Sequence, residues 1–368
     1  MSFSKSAVSS LVATAAVIAL LVSGCSAKPT GSPTDSQSSS TSASPTPTIE
    51  YETAPLTGIA YIKGTNAFLN GPAIMGKVDN SEAARPQNAL NQADIVFEEM
   101  VEGGMTRFLA IWQSNLPTKF GPVRSVRPMD PDLGAPFGGI ISFSGGQKPF
   151  VVAMQATDVF VTNETNQLGK GTFERVSDRE APHNVMVHAQ KLASQHKSIK
   201  APGQQFSFAT DAASSTASLQ GKATVDLSVS FPAGKPTWKW NATSGTWLRS
   251  QYGTKEKDAS DGKQLHAANV VVLKTKIDTS YKDFKYGFVP RTVVIGGGSG
   301  VVFSNGKAIA VKFKKANQDD PIHLVDNAGN PVLLTPGNTW VELMPRDSGS
   351  LKVNYAKAVS TATPTPTK

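Results

Sequence analysis

Residues 95–113, IVFEEMVEGGMTRFLAIWQ, contain the pattern on which the fold depends. Two runs rich in β-branched, aromatic and other apolar residues, Ile95–Glu102 and Met105–Gln113, are predicted strands. Gly103-Gly104 between them suits a two-residue turn, because glycine accepts the positive φ angles that such turns need. The stretch therefore predicts an antiparallel hairpin within a sheet.

A two-residue turn fixes the register of this hairpin. Met100 would face Arg107, and Glu98 and Glu102 would hold the guanidinium group as its diagonal neighbours on one face. Glu99 would fall on the opposite, apolar face, where a carboxylate is costly unless it is paired or borders a cleft. The alternative is a half-exposed strand pair with ordinary surface ion pairs.

Strands and helices alternate around the hairpin in the first half of the chain. Predicted strands cover residues 73–80, 139–144, 159–162 and 185–187, and predicted helices cover residues 83–92, 149–157 and 188–196. The second half shows short alternating segments with closely spaced turn signals. We predict an α+β fold class: a mixed α/β N-terminal sheet domain followed by a mainly antiparallel β C-terminal domain.

Composition divides the chain further. Serine, threonine and proline dominate two stretches, which are too poor in apolar residues to form a core. The predicted segments are a signal peptide (1–24), a Ser/Thr/Pro-rich tether (25–55), an α/β domain (56–200), a connector (201–222), a β-rich domain (223–355) and a disordered tail (356–368).

The N-terminus has the layout of a secretory signal. Lys5 precedes an apolar run, Leu11–Val22, and Val22-Ser23-Gly24-Cys25 looks like the lipobox of bacterial lipoproteins. Cys25 is the only cysteine, so an internal disulfide is excluded and lipidation at Cys25 is the predicted use of the residue. A plain signal peptide and an uncleaved anchor are the alternatives. Lipidation would hold the protein on the extracytoplasmic face of the cell membrane.

The charge balance indicates partners of the opposite sign. The net charge is +8, which suits anionic lipid or an anionic cell-wall polymer. Nucleic acid is not expected, because no nucleic-acid-binding motif is present. No metal-ligand spacing is present either, so we predict no metal and no cofactor. The β-rich domain offers a possible surface for a protein partner.

Arginines cluster in and around residues 121–147, GPVRSVRPMDPDLGAPFGGIISFSGGQ. Guanidinium groups at fixed spacing suit carboxylate or phosphate ligands. The predicted ligand-binding residues are Arg107, Arg124, Arg127, Ser144 and Gln147. In the alternative interpretation Arg124 and Arg127 pair with Asp130, Asp132 or Glu99 and brace a loop.

Candidate acid–base groups lie near the arginines in sequence or in the predicted hairpin. They are Glu98, Glu99, Asp130, Asp132 and His183. His183 follows Pro182 and comes shortly after Arg175, Asp178 and Arg179, which makes it the best candidate for moving a proton. A histidine at a loop end can equally be a hydrogen-bonded turn residue.

Several long motifs resemble the YerB-like bacterial lipoproteins. They are residues 84–87 (ARPQ), 91–98 (NQADIVFE), 102–108 (EGGMTRF), 121–128 (GPVRSVRP) and 181–184 (APHN), with 269–272 (NVVV) and 337–340 (GNTW) in the second half. Residues 312–314 (KFK) depart from the family pattern, which has a tryptophan there. The resemblance implies a two-domain, surface-anchored lipoprotein. The family is defined by a domain of unknown function, so no reaction follows from it.

Two functions fit the sequence. The first is a non-enzymatic envelope lipoprotein that binds an anionic ligand or wall component through the arginines. The second is an extracytoplasmic enzyme, a phosphotransferase or hydrolase, that acts on a cell-wall polymer. A purely structural role for the arginines is the remaining alternative.

Overall fold

The computed structural model describes residues 48–167, 170–284 and 287–357. The predicted signal peptide, the lipidation site Cys25 and most of the predicted tether lie outside the described residues.

Strands make up most of the regular structure. In chain order they are β1 (Tyr51–Thr53), β2 (Ala60–Ile62), β3 (Ile74–Asp79), β4 (Ile95–Met100), β5 (Thr106–Trp112), β6 (Ile140–Phe143), β7 (Phe160–Asn163), β8 (Phe173–Arg175), β9 (Val185–Val187), β10 (Lys222–Ser230), β11 (Pro236–Asn241), β12 (Thr246–Gln251), β13 (Thr254–Lys255), β14 (His266–Ala267), β15 (Asn269–Asp278), β16 (Lys282–Asp283), β17 (Gly287–Phe288), β18 (Arg291–Val293), β19 (Gly296–Ser304), β20 (Lys307–Lys315), β21 (His323–Val325), β22 (Thr339–Pro345) and β23 (Ser350–Tyr355). The α-helices are α1 (Asp130–Gly134), α2 (Lys148–Gln155), α3 (Glu164–Gln167), α4 (Ala189–Gln195) and α5 (Thr216–Gln220).

One central sheet runs through both halves of the chain. Its pairings give the order β20-β19-β15-β22-β4-β5-β3-β6-β7. Strands β15, β22 and β4 are mutually parallel, β5 is antiparallel to both of its neighbours, and β3, β6 and β7 are parallel again. Because β22 pairs with β4, one sheet contains strands from both sides of the predicted connector at 201–222.

A second, antiparallel sheet covers part of one face. Strand β10 pairs with β23 and β11, and β11 continues to β12, β13 and β14. Trp238 and Trp247 from this sheet pack with Phe108 and Trp340 of the central sheet in one fully buried cluster. The opposite face of the central sheet buries a separate apolar cluster beneath α1 and α2. The mostly β structure with few helices is consistent with the predicted α+β class.

The predicted hairpin forms, but its register differs by one residue. A three-residue loop, Glu102–Gly104, replaces the two-residue turn, and both of its glycines have φ of 71°. Arg107 therefore faces Glu99, and Met100 faces Thr106. The predicted clamp of Arg107 between Glu98 and Glu102 is wrong, because a one-residue shift moves each side chain to the other face.

The helix predicted over residues 83–92 is also wrong. Only 3-10 turns form there, at Glu82–Ala84 and Leu90–Gln92. Pro86 forces the preceding Arg85 into an extended conformation, with φ −90° and ψ 147°. Ala89 then takes a left-handed φ of 71°. The segment between the two turns becomes an irregular loop that borders a cleft.

Candidate functional site

The candidate site lies at one edge of the central sheet. Strands β3 and β4 are parallel to each other, because each pairs antiparallel with β5. Residues 80–87 follow the carboxyl end of β3, and the Glu102–Gly104 loop follows the carboxyl end of β4. The carboxyl ends of parallel strands are a common location for ligand sites, because loops from several strands meet there.

A cleft of about 650 Å³ lies between residues 80–87 and residues 251–257, with Met105 and Thr106 also lining it. Such a volume is typical of ligand sites, which range from about 300 to 1,000 Å³. Residues 251–257 include the turn of the hairpin β12–β13, which belongs to the second sheet. Both halves of the chain therefore contribute to this cleft, which we call the main cleft.

The exposed lining of the main cleft includes one tyrosine, two lysines and one glutamate. Tyr252 is 62% exposed. Lys255 and Lys257 are exposed, and neither forms a salt bridge within the described residues. Glu82 is an exposed carboxylate of the lining. Glu256 is buried and belongs to an ion network behind the cleft.

Arg85 forms the boundary between the main cleft and a second cleft. Its Nη2 donates to the backbone oxygen of Asn80 at 2.8 Å, and its Nε lies 3.2 Å from Glu256 Oε1. The second cleft, of about 550 Å³, is lined by Arg85 and Pro86 together with residues 178–181 and His183. Arg179 in this cleft donates to the carbonyl oxygens of Ala84 and Pro86.

A buried ion network lies behind the main cleft. Arg249 is fully buried, donates from Nη2 to Glu98 Oε2 at 2.5 Å and pairs with Glu256. Its Cζ atom lies 5.1 Å from the ring centre of Trp340 and 5.4 Å from that of Phe108, so two aromatic faces replace part of its lost hydration. Arg249 joins the two sheets through charge as well as packing.

Two glutamates meet in this network on neighbouring parallel strands. Glu342 faces Glu98 in the register of β22 and β4. Burial and then the neighbouring Glu98 carboxylate raise the pKa of Glu342 well above its usual value, although Arg249 and Trp238 oppose the rise. The Trp238 indole donates to Glu342 Oε1 at 2.8 Å. Both effects favour the neutral form of the Glu342 carboxyl group.

His183 reaches Asp79 at the rim of the second cleft. Its Nδ1 lies 2.6 Å from Asp79 Oδ2 and 3.1 Å from Ser81 Oγ, whereas its Nε2 has no hydrogen-bond partner among the described residues. Burial opposes ionisation of Asp79, but hydrogen bonds from the Ser81 N–H and His183, with the charge of Arg124, together lower its pKa. An imidazole oriented by a carboxylate is a chemically competent acid–base pair.

The arginine segment, residues 121–127, lies on the other side of the same edge. Arg124 Nε is 3.2 Å from Asp79 Oδ2, and Arg127 Nε is 2.7 Å from Glu102 Oε2. The two side chains are only 24% and 12% exposed. Each guanidinium group therefore already has a carboxylate partner within the protein.

Arg107 supports this segment from below. It is 7% exposed, and its Nη1 donates to the carbonyl oxygen of Ser125 at 2.8 Å. Burial, followed by the positive charges of Arg127 and Arg124, lowers the pKa of Arg107 to about 10. The structure thus brings the three predicted arginines together, in a cluster that binds its own backbone and carboxylates.

Two of the predicted acid–base groups are fully buried below the arginines. Lys77 Nζ pairs with Glu99 and donates to Asp130 Oδ1 at 2.8 Å, and all three side chains are inaccessible. Asp130 Oδ2 also accepts the backbone N–H of Arg127 at 2.6 Å. Glu99 and Asp130 therefore brace the arginine segment. Lys77, which was not among the predicted partners, supplies the cation that a buried Glu99 carboxylate needs.

The remaining predicted site residues are separated. Ser144 follows β6 and donates its backbone N–H to Arg124 O at 3.2 Å, so it lies beside the arginine segment. Gln147 Oε1 instead accepts from the Tyr281 hydroxyl at 2.9 Å. Asp132 pairs with Arg291 at 2.6 Å, away from the arginine cluster. Glu98 faces the opposite side of the sheet and belongs to the network of Arg249.

Several residues of the main cleft were not predicted, namely Tyr252, Lys255 and Lys257. One signal was available, since Tyr252-Gly253 separates two segments of strand composition and resembles a tight turn. Nothing in the sequence indicates that this turn lies against residues 80–87, more than 160 positions earlier.

Within the described residues, no group of three or more histidine, aspartate and glutamate side chains is placed to hold a metal ion. In the same ranges, no helix has the length and apolar character needed to cross a membrane.

Known proteins with similar sequence cover most of the folded chain. Residues 56–201 match the family described as "Protein of unknown function (DUF3048) N-terminal domain", and residues 227–341 match the corresponding C-terminal domain. "Putative lipoprotein YerB" of Bacillus subtilis (strain 168) is 27% identical over 297 residues, which are 79% of this chain and 86% of that protein.

A solved structure shows the same fold. The crystal structure of the YerB protein from Bacillus subtilis matches with a TM-score of 0.69 and 24% identity, over 82% of this chain and 99% of the crystallised one. With both family domains present in order and the fold shared, the chain belongs to the DUF3048 family, that of the YerB-like bacterial lipoproteins.

Proposed function

We propose that this protein is a lipid-anchored envelope lipoprotein on the extracytoplasmic face of the cell membrane, and that its main cleft binds an anionic cell-wall component. The N-terminal pattern ending in Cys25 and the name of the Bacillus relative support the anchoring. The cleft replaces the arginine segment as the proposed ligand site.

One observation carries the binding proposal, namely the pairing state of the cations. Arg124 and Arg127 have carboxylate partners, whereas Lys255 and Lys257 line an open cleft without forming a salt bridge within the described residues. An anion that approached the arginines would meet cations whose charge an internal carboxylate already balances. An anion at the lysines displaces only water. Binding in the main cleft therefore costs less free energy than binding at the arginine segment.

Co-sedimentation with insoluble cell-wall material tests this proposal. The full-length chain should sediment with walls that carry anionic polymers and remain soluble with walls from which those polymers have been extracted. The double variant Lys255→Ala/Lys257→Ala should lose this retention. The matched control is Lys312→Ala/Lys314→Ala, which removes two exposed lysines with the same spacing on β20. Equal losses in both double variants would show that the site is elsewhere.

A second candidate function, acid–base catalysis on a wall polymer, is favoured by the His183–Asp79 pair at the second cleft. The His183 Nε2 atom has no hydrogen-bond partner among the described residues and is the one positioned to move a proton. Release of soluble fragments from purified wall material by the wild-type chain, lost in His183→Gln, would support an enzyme. Unchanged release in that variant, or no release by either chain, would leave binding as the function.

A further inference from the structure

Tyr252 occupies a position that is conformationally unfavourable for it. It forms, with Gly253, the two-residue turn between β12 and β13, and the two residues have φ of 51° and 82°. Turns with two positive φ angles favour asparagine, aspartate or glycine at the first position. A bulky residue in the left-handed region is an outlier, because its Cβ crowds the backbone.

Packing of the Tyr252 side chain does little to offset this unfavourable backbone conformation. The Tyr252 side chain is 62% exposed and lines the main cleft. A strained residue that gains little from burial points to a role outside folding. The flat apolar face and the hydroxyl group of a tyrosine provide a surface on which a ring of a ligand can stack.

Two buried acceptors line the same cleft. Gln87 donates from Nε2 to Asp79 O at 3.0 Å and to Asn80 Oδ1 at 3.1 Å, which fixes the orientation of its amide. Its Oε1 has no hydrogen-bond partner, and neither has Oε1 of Gln251. Buried acceptors without partners are rare in folded proteins, because each loses its hydration without compensation. Both residues line the main cleft, so a hydroxyl group of a ligand that reached these buried oxygens would satisfy them.

We infer that the ligand of the main cleft is an acidic saccharide, whose sugar ring stacks on Tyr252, whose hydroxyl groups donate to Gln87 and Gln251, and whose carboxylate or phosphate groups contact Lys255 and Lys257. This inference rests on the proposed binding function and narrows its ligand. A polyanion without sugar rings would use the lysines alone. A neutral saccharide would use the tyrosine and the glutamines alone.

Calorimetric titration of the full-length chain separates these ligand classes. The probes are an oligogalacturonate, a phosphorylated oligosaccharide, a neutral cello-oligosaccharide of matched length and inorganic polyphosphate. At least one acidic saccharide should bind more tightly than both the neutral saccharide and polyphosphate. The two acidic saccharides distinguish carboxylate from phosphate as the charged group.

Tyr252→Gly is the informative variant, because glycine adopts the left-handed turn and the substitution should not lower Tm. It should weaken binding of the acidic saccharide about tenfold, a size typical of lost ring stacking. Tyr51→Ala is the control, since Tyr51 is 64% exposed and lies in β1, outside the cleft.

Two failures would be distinguishable. The saccharide inference would be overturned if polyphosphate bound as tightly as the acidic saccharides and the affinities did not change in Tyr252→Gly. The proposed anion site would stand in that case. The absence of any anion binding that depends on Lys255 and Lys257 would overturn the proposed function as well. If the neutral saccharide bound as tightly as the acidic saccharides, the cleft would not recognise charge and the inference would be wrong.

Discussion

The arginine segment and the main cleft lie at the same edge of one sheet and use their cations in opposite ways. Arg124 and Arg127 are mostly buried and lie against Asp79 and Glu102. Lys255 and Lys257 are exposed and form no salt bridge in the described part of the chain. Arginine density in the sequence therefore marks a cluster that is paired within the protein, while the proposed binding surface contains lysines that the sequence does not distinguish. The state of pairing, rather than the number of charges, separates a structural cluster from a site.

Asp79 connects the arginine segment with the second cleft. It contacts Arg124 of the arginine segment, and it also accepts hydrogen bonds from the Ser81 N–H and from His183 at the second cleft. We expect substitutions among the buried charges below the arginine segment to lower the stability of the fold, and substitutions in the main cleft to weaken ligand binding.

The largest loss of stability is expected from Lys77→Met. The change leaves Glu99 and Asp130 buried without their cation, which typically costs about 3–5 kcal/mol. Burial lowers the pKa of Lys77 to about 8, so denaturant unfolding at pH 7 measures the charged form. The exposed Lys352→Ala control should change the unfolding free energy by less than about 0.5 kcal/mol. A similarly small change in Lys77→Met would contradict the interpretation of the arginine segment as a braced structure.

Glu98→Gln and Glu342→Gln should differ, although the two glutamates face each other. Glu98→Gln removes a charge that pairs with the buried Arg249 and should cost about 3 kcal/mol of unfolding free energy. Burial and Glu98 raise the pKa of Glu342, which makes glutamine a close substitute for it, so for Glu342→Gln we expect a loss below about 1 kcal/mol. Chemical denaturation of both variants at pH 7 measures the difference. Equal losses would contradict the raised pKa of Glu342.

Asp79→Asn should make the stability of the protein less sensitive to acid. The native pKa of Asp79 lies below its usual value, so its ionised form stabilises the fold above about pH 4 and this contribution is lost as the pH falls through the native pKa. We expect the variant to be about 2 kcal/mol less stable at pH 7, with the difference shrinking in acid. Unfolding curves of both chains between pH 3 and 7 provide the measurement. A constant difference would rule out Asp79 as the titrating group.

The smallest effect on stability is expected at the cleft. Lys255→Ala/Lys257→Ala should change the unfolding free energy by less than about 0.5 kcal/mol, because neither side chain is buried or ion-paired in the described structure. The same double variant should lose wall binding. A large loss of stability would instead make these lysines part of the structural framework and remove the contrast with the arginine segment.

Local sequence patterns predicted most elements but not the details that place side chains. The runs on both sides of Gly103-Gly104 form the expected hairpin, yet Glu102 joins the loop and the register shifts. Several loop lengths accommodate two glycines, and their energies differ too little for local preference to select one. The loop at Pro86 lies within residues 83–92, which were predicted as a helix, because proline fits the first turn of a helix but also favours an extended residue before it.

The sequence by itself determined the strand-rich class, the hairpin and the resemblance to its family, because these depend on local periodicity and on long motifs. Only the tertiary structure decided which charges are neutralised and where the cleft lies. Arg249 reaches Glu98 across 151 positions, and the Tyr252 turn borders a loop from the other half of the chain. Such contacts follow from how two sheets pack, and packing depends on the summed burial of many residues rather than on any one segment.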